Sequence, residues 1–183
     1  MTPSREGHLS VAVSAHDHVQ GPADAPATLV VYGDYECPYT RKALAVVAQL
    51  RASLGDQLRF VFRNFPLDEI HPHALQAAQA AEAADAQGQF WPMHTQLFAH
   101  QKALEDQDLA QYAALLGLDS ARFAHDLETH AYMARIRSDV ESGMSSGVQG
   151  TPTLFINGRR HDGSWEESAL APALARAIAS HSA

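Results

Sequence analysis

A chain of 183 residues, 46% apolar and 19% charged, has the size and balance of one ordinary globular domain, able to bury a core without covalent staples. Its one cysteine excludes an internal disulfide, so packing must hold the fold. A formal net charge of −8 at pH 7 and the lack of a basic stripe argue against a nucleic-acid partner.

Residues 1–14 contain no basic segment followed by an apolar run of signal-peptide type, and no apolar stretch reaches the roughly 18 residues of a membrane span. The expectation is a soluble, cytoplasmic protein with no membrane partner. Residues 9–13 alternate apolar and small polar side chains and suit a short edge strand. Residues 21–26 are dense in turn formers and read as a loop. Residues 28–32 form a β-prone apolar run, read as a buried central strand.

Gly33-Asp34-Tyr35-Glu36 leads out of that strand to Cys37-Pro38-Tyr39-Thr40. Pro38 fits the first turn of a helix, where its missing N–H costs nothing. Ala43, Leu44, Val46, Val47, Leu50 and Leu54 then recur at helical spacing until Gly55. Residues 58–62 are a second strand, so the chain opens β-α-β with the cysteine at the first strand-to-helix junction.

A block of four or five helices with short links follows. Residues 73–86 are mostly alanine, glutamine and small acids of high helix propensity, ended by Gly88. Helices are expected over 90–100, 109–116 and 120–128, with Asp108 and Asp119 as caps of the last two, and over 132–144. Strand signals return at 153–156. Asn157-Gly158 is a hairpin turn leading to a return strand at 159–161, and 166–180 is a closing amphipathic helix.

This order resembles the DsbA-like branch of the thioredoxin superfamily. The resemblance rests on Gly33-Asp34-Tyr35-Glu36-Cys37-Pro38-Tyr39 and on Gly150-Thr151-Pro152-Thr153 ahead of an apolar strand. Supporting pieces are His71-Pro72-His73-Ala74, Gly88-Gln89-Phe90-Trp91 and Asp162-Gly163-Ser164-Trp165. It implies an α/β thioredoxin-like fold (βαβ…ββα) formed by 1–66 and 149–183, with an inserted all-helical domain over 67–148. It also implies a cis peptide bond at Thr151-Pro152, whose backbone would clamp an extended substrate. The departure is Thr40, which stands where the family pattern has a second cysteine.

A cysteine at a helix N-terminus faces unpaired N–H groups and the positive end of the helix dipole, both of which favour the thiolate. Asp34 and Glu36 would oppose that charge if close, with Arg41 and Lys42 as offsets, but the helix terminus is expected to win because the charged side chains can swing into water. The expected catalytic residues are Cys37 as nucleophile and Thr40 as a hydrogen-bond partner to its sulfur. Pro38, Tyr39, Thr151 and Pro152 are the expected substrate contacts, and Tyr35 and Tyr39, which flank the nucleophile, are the expected substrate-contacting aromatics. Phe90, Trp91 and Phe98 are read as core.

With one thiol, an attack on a disulfide stops at a mixed disulfide until an outside thiol resolves it. Oxidation of a substrate dithiol by an internal disulfide is excluded. Monothiol reduction, deglutathionylation, isomerisation and peroxide sensing through a sulfenic acid remain. The expected partner is a disulfide-containing protein or a small thiol. No cofactor is expected to be bound, with glutathione or another small thiol as co-substrate. Two alternatives share the fold: a glutathione-using transferase or isomerase, and a non-catalytic peptide-binding module. The eleven histidines lack zinc-motif spacing and are read as surface or core residues, with no metal site.

Overall fold

Each strand-forming run of the chain lies next to a turn or helix signal, and the computed structural model, which describes residues 7–181, shows what they build. The leader and domain expectations that fall on residues 1–6 lie outside the described residues. The chain divides into two compact units. The first comprises 1–33, 39–63 and 141–183; the second comprises 34–38 and 64–140.

The first unit holds a five-stranded sheet in the order β1-β3-β2-β4-β5. Its strands are β1 (His18–Gln20), β2 (Ala27–Gly33), β3 (Leu58–Asn64), β4 (Thr153–Ile156) and β5 (Arg159–Arg160). β2 is a seven-residue run, ATLVVYG, of which all but Thr28 are buried, the pattern of a strand covered on both faces. It pairs antiparallel with β4, Leu29 opposite Ile156 and Tyr32 opposite Thr153. β1 pairs antiparallel with β3 and β5 with β4. The β4–β5 hairpin turns on Asn157 and Gly158, whose φ angles are 47° and 78°. Two successive positive φ values are what a two-residue turn of this hand requires.

Two helices belong with this sheet. α1 (Pro38–Leu54) buries Thr40, Ala43, Val47 and Leu50 along one face. α7 (Glu167–His181) closes the chain and packs on β2 and β4, with Leu170 and Leu174 buried.

Residues 9–13 do not form the expected edge strand; the segment meets the sheet beside β5, where His8 bridges Arg159 and the Leu9 N–H donates to the Gly158 carbonyl at 2.8 Å. Their backbone groups are claimed elsewhere. Ser10 N–H donates to Ser146 Oγ at 2.9 Å, and Ser10 Oγ donates to the Ser142 carbonyl at 2.9 Å. Arg63, 2% exposed, donates to the Val11 and Ala12 carbonyls at 3.0 and 3.2 Å. It also holds Asp17 through two bonds of 2.7 and 3.1 Å. Burial alone would lower the guanidinium pKa, but Asp17 and Tyr32 outweigh it and raise it. A segment whose carbonyls are taken by a buried cation has no ladder left to make.

The second unit is helical: α2 (Ala74–Asp85), α3 (Phe90–Ala99), α4 (Asp106–Leu115), α5 (Ser120–Glu128) and the first part of α6 (Met133–Ser145). α2 touches α3, α4 and α5. Seven of its alanines are buried, and their small side chains let the neighbouring helices close in. α4 begins three residues before the expected position. Asp108 is therefore not its cap; it lies in the first turn and accepts the Glu105 N–H at 3.1 Å, the reciprocal half of a capping box. Asp119 does cap α5, accepting the Arg122 N–H at 3.0 Å. No helix among the described residues is long and apolar enough to cross a membrane.

Candidate active site

The loop 34–38 leaves β2 and enters α1 through one tight turn. The Cys37 N–H donates to the Asp34 carbonyl at 3.2 Å, and Pro38 is the first residue of α1. Cys37 thus sits immediately before a seventeen-residue helix, at its N-terminal end. It is buried, with 4% of its surface exposed.

The two acids of the loop do not swing into water. Asp34 Oδ1 accepts the Glu36 N–H at 2.7 Å. Asp34 Oδ2 accepts the Leu67 N–H at 2.8 Å and pairs with His71 Nδ1 at 2.8 Å. Glu36 accepts the His73 N–H at 2.8 Å and pairs with His73 Nδ1 at 3.0 Å. The hydrogen bond to Glu36 is the main cause that raises the His73 pKa; burial lowers it, and the charges of Glu36, Glu105 and Asp106 add to the rise. The carboxylates are therefore tied to the 67–73 segment and neutralised in part by its donors.

A third grip comes from Gln101, whose Nε2 donates to the Tyr35 carbonyl at 2.8 Å and to the Cys37 carbonyl at 2.9 Å. Nothing local in the sequence announces this residue. Its partners lie more than sixty positions away, and a half-buried glutamine in a link carries no motif.

Tyr35 is not a surface aromatic. It is 1% exposed, its hydroxyl pairs with His94 Nδ1 at 2.9 Å, and its ring lies 4.8 Å from that of Phe98. Burial, then the charges of Glu82 and Asp139, push its phenol pKa well up, so it stays protonated. It anchors the loop in the helical core and cannot reach a substrate. Phe90 and Phe98 are buried beside it as expected, and Trp91 is half-buried. Tyr39 is the exposed aromatic, at 58%, with Lys42 Nζ 5.8 Å from its ring centre. Pro38 is also exposed.

Thr40 is fully buried in the first unit. A Cβ placed on Gly33 would lie 2.8 Å from the Thr40 methyl and 2.5 Å from Phe62 Cε2, so the threonine methyl packs where only a glycine leaves room. The Thr151–Pro152 peptide bond is cis, as the resemblance implies, and both residues are half-buried. Among the histidines, His71 and His73 hold the loop acids, His94 holds Tyr35, and His100 Nδ1 lies 3.0 Å from the Gln96 carbonyl.

The thioredoxin family pattern matches residues 14–175. The chain belongs to the thioredoxin family. Its fold is that of the DsbA structures, an α/β thioredoxin-like core with an inserted helical region. It is similar to oxidised BdbD from Bacillus subtilis, with a TM-score of 0.80 and 19% identity over 95% of this chain and 99% of that one. It is similar also to alpha-DsbA1 from Wolbachia pipientis, with a TM-score of 0.76 and 19% identity over 94% and 96%. A thioredoxin-like oxidoreductase from Silicibacter pomeroyi DSS-3 gives a TM-score of 0.79 and 29% identity over 90% and 93%.

Among curated proteins, this thioredoxin-family chain is 48% identical over 163 residues to the Na(+)/H(+) antiporter NhaA 1 of Salinispora arenicola, covering 89% of this chain and 25% of that protein. The Na(+)/H(+) antiporter NhaA 1 of Mycobacterium sp. (strain KMS) is 44% identical over 160 residues, covering 86% and 26%. The chain spans about a quarter of the length of these relatives.

Proposed function

We propose that this chain is a thiol–disulfide oxidoreductase that works through the single nucleophile Cys37 and an outside thiol. The observation that carries the reading is the placement of its only cysteine directly before α1, in a loop whose acids are already engaged by other donors. The Cys37 thiolate attacks one sulfur of a substrate disulfide. A new S–S bond forms, the old one breaks, and the departing sulfur leaves as a thiolate that takes a proton from solvent.

An external thiolate, glutathione or another small thiol, then attacks the mixed disulfide at the sulfur bonded to Cys37. Cys37 leaves as thiolate, and the two outside sulfurs depart joined. On a glutathionylated substrate the sum is one substrate thiol and one oxidised glutathione formed from one reduced glutathione. Thr40 as hydrogen-bond partner to the sulfur, and Pro38, Tyr39, Thr151 and Pro152 as substrate contacts, belong to the same proposal. So does a reducing, glutathione-containing compartment such as the cytoplasm. The test is glutathione-dependent reduction of a glutathionylated peptide: the parent turns over and Cys37→Ser does not. Equal turnover in both sinks the reading in favour of an enzyme that activates the thiol of bound glutathione.

A second reading concerns setting. The 44–48% identity to segments of antiporters supports a module that acts with a membrane antiporter as its partner. Co-purification of this chain with such a transporter, lost in a detergent-solubilised control lacking it, tests that reading.

A further inference from the structure

We infer that Gln101 is a positioning residue for Cys37, fixing the backbone from which the sulfur projects; the inference rests on Cys37 being the nucleophile proposed above. A primary amide has two N–H donors, and both of Gln101's are spent on one turn, at the carbonyls of Tyr35 and Cys37 on either side of Glu36. Asp34 and Glu36 hold the turn by accepting hydrogen bonds. Gln101 holds it from the donor side.

The Cys37 carbonyl has a further role, because the residue preceding a helix supplies the acceptor of its first hydrogen bond. A second donor on that oxygen fixes the plane of the Cys37–Pro38 peptide, and with it the direction of the Cys37 side chain relative to the helix N–H groups. The link that carries Gln101 is itself stiff. The His100 ring stacks on Tyr112 with 5.4 Å between centres, the Tyr112 hydroxyl donates to the Ala103 carbonyl at 2.7 Å, and the Ala103 N–H donates to the His100 carbonyl at 2.8 Å. A strut therefore runs from α4 through residues 100–103 to the nucleophile's own carbonyl.

Two variants test it, read by thiolate absorbance and by the rate of reaction with 4,4′-dithiodipyridine, which reports thiolate down to low pH. Gln101→Ala removes both donors without adding charge. Gln101→Glu keeps the shape but, once ionised, turns acceptors toward two carbonyls. In Gln101→Ala the Cys37 titration moves upward, and in Gln101→Glu further, by about one pKa unit, equivalent to a tenfold change in the thiol–thiolate balance. The rate deficit of Gln101→Glu narrows below about pH 4.3, where the carboxyl gains a proton and regains one donor; a merely structural lesion gives a deficit flat with pH.

An unshifted titration in Gln101→Ala overturns the inference, even if Gln101→Glu shifts, because that pattern is charge alone. If Gln101→Glu does not fold, as judged by circular dichroism, the Gln101→Ala titration decides. The titration needs no turnover. A shift in the variants alongside an inactive parent keeps the positioning role and removes the catalytic reading; an active parent with silent variants does the reverse.

Discussion

Asp34 gives the sharpest stability prediction, because one fully buried carboxylate serves three donors. It accepts the Glu36 and Leu67 N–H groups and pairs with His71 Nδ1, all between 2.7 and 2.8 Å, and its side chain is 0% exposed. Hydrogen bonds to a charged group contribute about 1.5–3 kcal/mol each. Glu36, Leu67 and His71 are half-buried, so water recovers part of the loss once the carboxylate is gone. Asp34→Ala should then cost about 3–5 kcal/mol in total, the range seen when one partner of a buried charged pair is removed. At about 2–4 °C per kcal/mol for a chain of this length, the melting temperature should fall by roughly 6–20 °C. Asp34→Asn keeps one acceptor oxygen and should fall between parent and alanine variant. Calorimetry and urea denaturation measure the loss, and limited proteolysis should show new cleavage at 67–73. A melting temperature for Asp34→Ala equal to the parent's would refute the view that this carboxylate ties the Cys37 loop to that segment.

Tyr35→Phe removes the hydroxyl that pairs with His94, which is 8% exposed; losing that buried hydrogen bond should cost about 0.5–1.5 kcal/mol, measured by urea denaturation. The His73 pKa is raised, first by its hydrogen bond to Glu36. A group with a raised folded-state pKa contributes stability that is fully present below the unfolded value, about 6.5, and lost as pH rises through the folded one. The stability difference between the parent and His73→Gln should accordingly shrink between pH 6 and 9. The pair is half-exposed and salt-screened, so the effect is small, and a difference that grows with pH would contradict it.

The β2–α1–β3 stretch and the β4–β5 hairpin were legible because their signals are local: an apolar run of strand length, a proline at the first helical position, and Asn157-Gly158 at the turn. Residues 9–13 were misleading for a physical reason. Alternation promises a strand only if the backbone is free to pair, and here Ser142, Ser146 and Arg63, distant in sequence, take its groups. The α4 start was misplaced because Asp108 reads equally well as a cap or as the reciprocating acid of a capping box, and Glu105 decides which.

Around the nucleophile, Cys37 and the cis Thr151–Pro152 bond could be expected from their motifs. The inward turn of Tyr35 could not, since an aromatic beside a reactive cysteine looks the same in sequence whether it faces substrate or core. His71 and His73 stood out as a pair but gave no hint that their partners are Asp34 and Glu36. Gln101 carried no signal at all.

Cys37 and its dependence on an outside thiol are tested most directly by intact-mass spectrometry of the chain after exposure to oxidised glutathione. The parent should gain one glutathionyl group on Cys37, release it completely on adding reduced glutathione, and yield oxidised glutathione in equal amount; Cys37→Ser should gain none. A parent that takes up no adduct, or an adduct that reduced glutathione leaves in place, would contradict exchange through a single thiol.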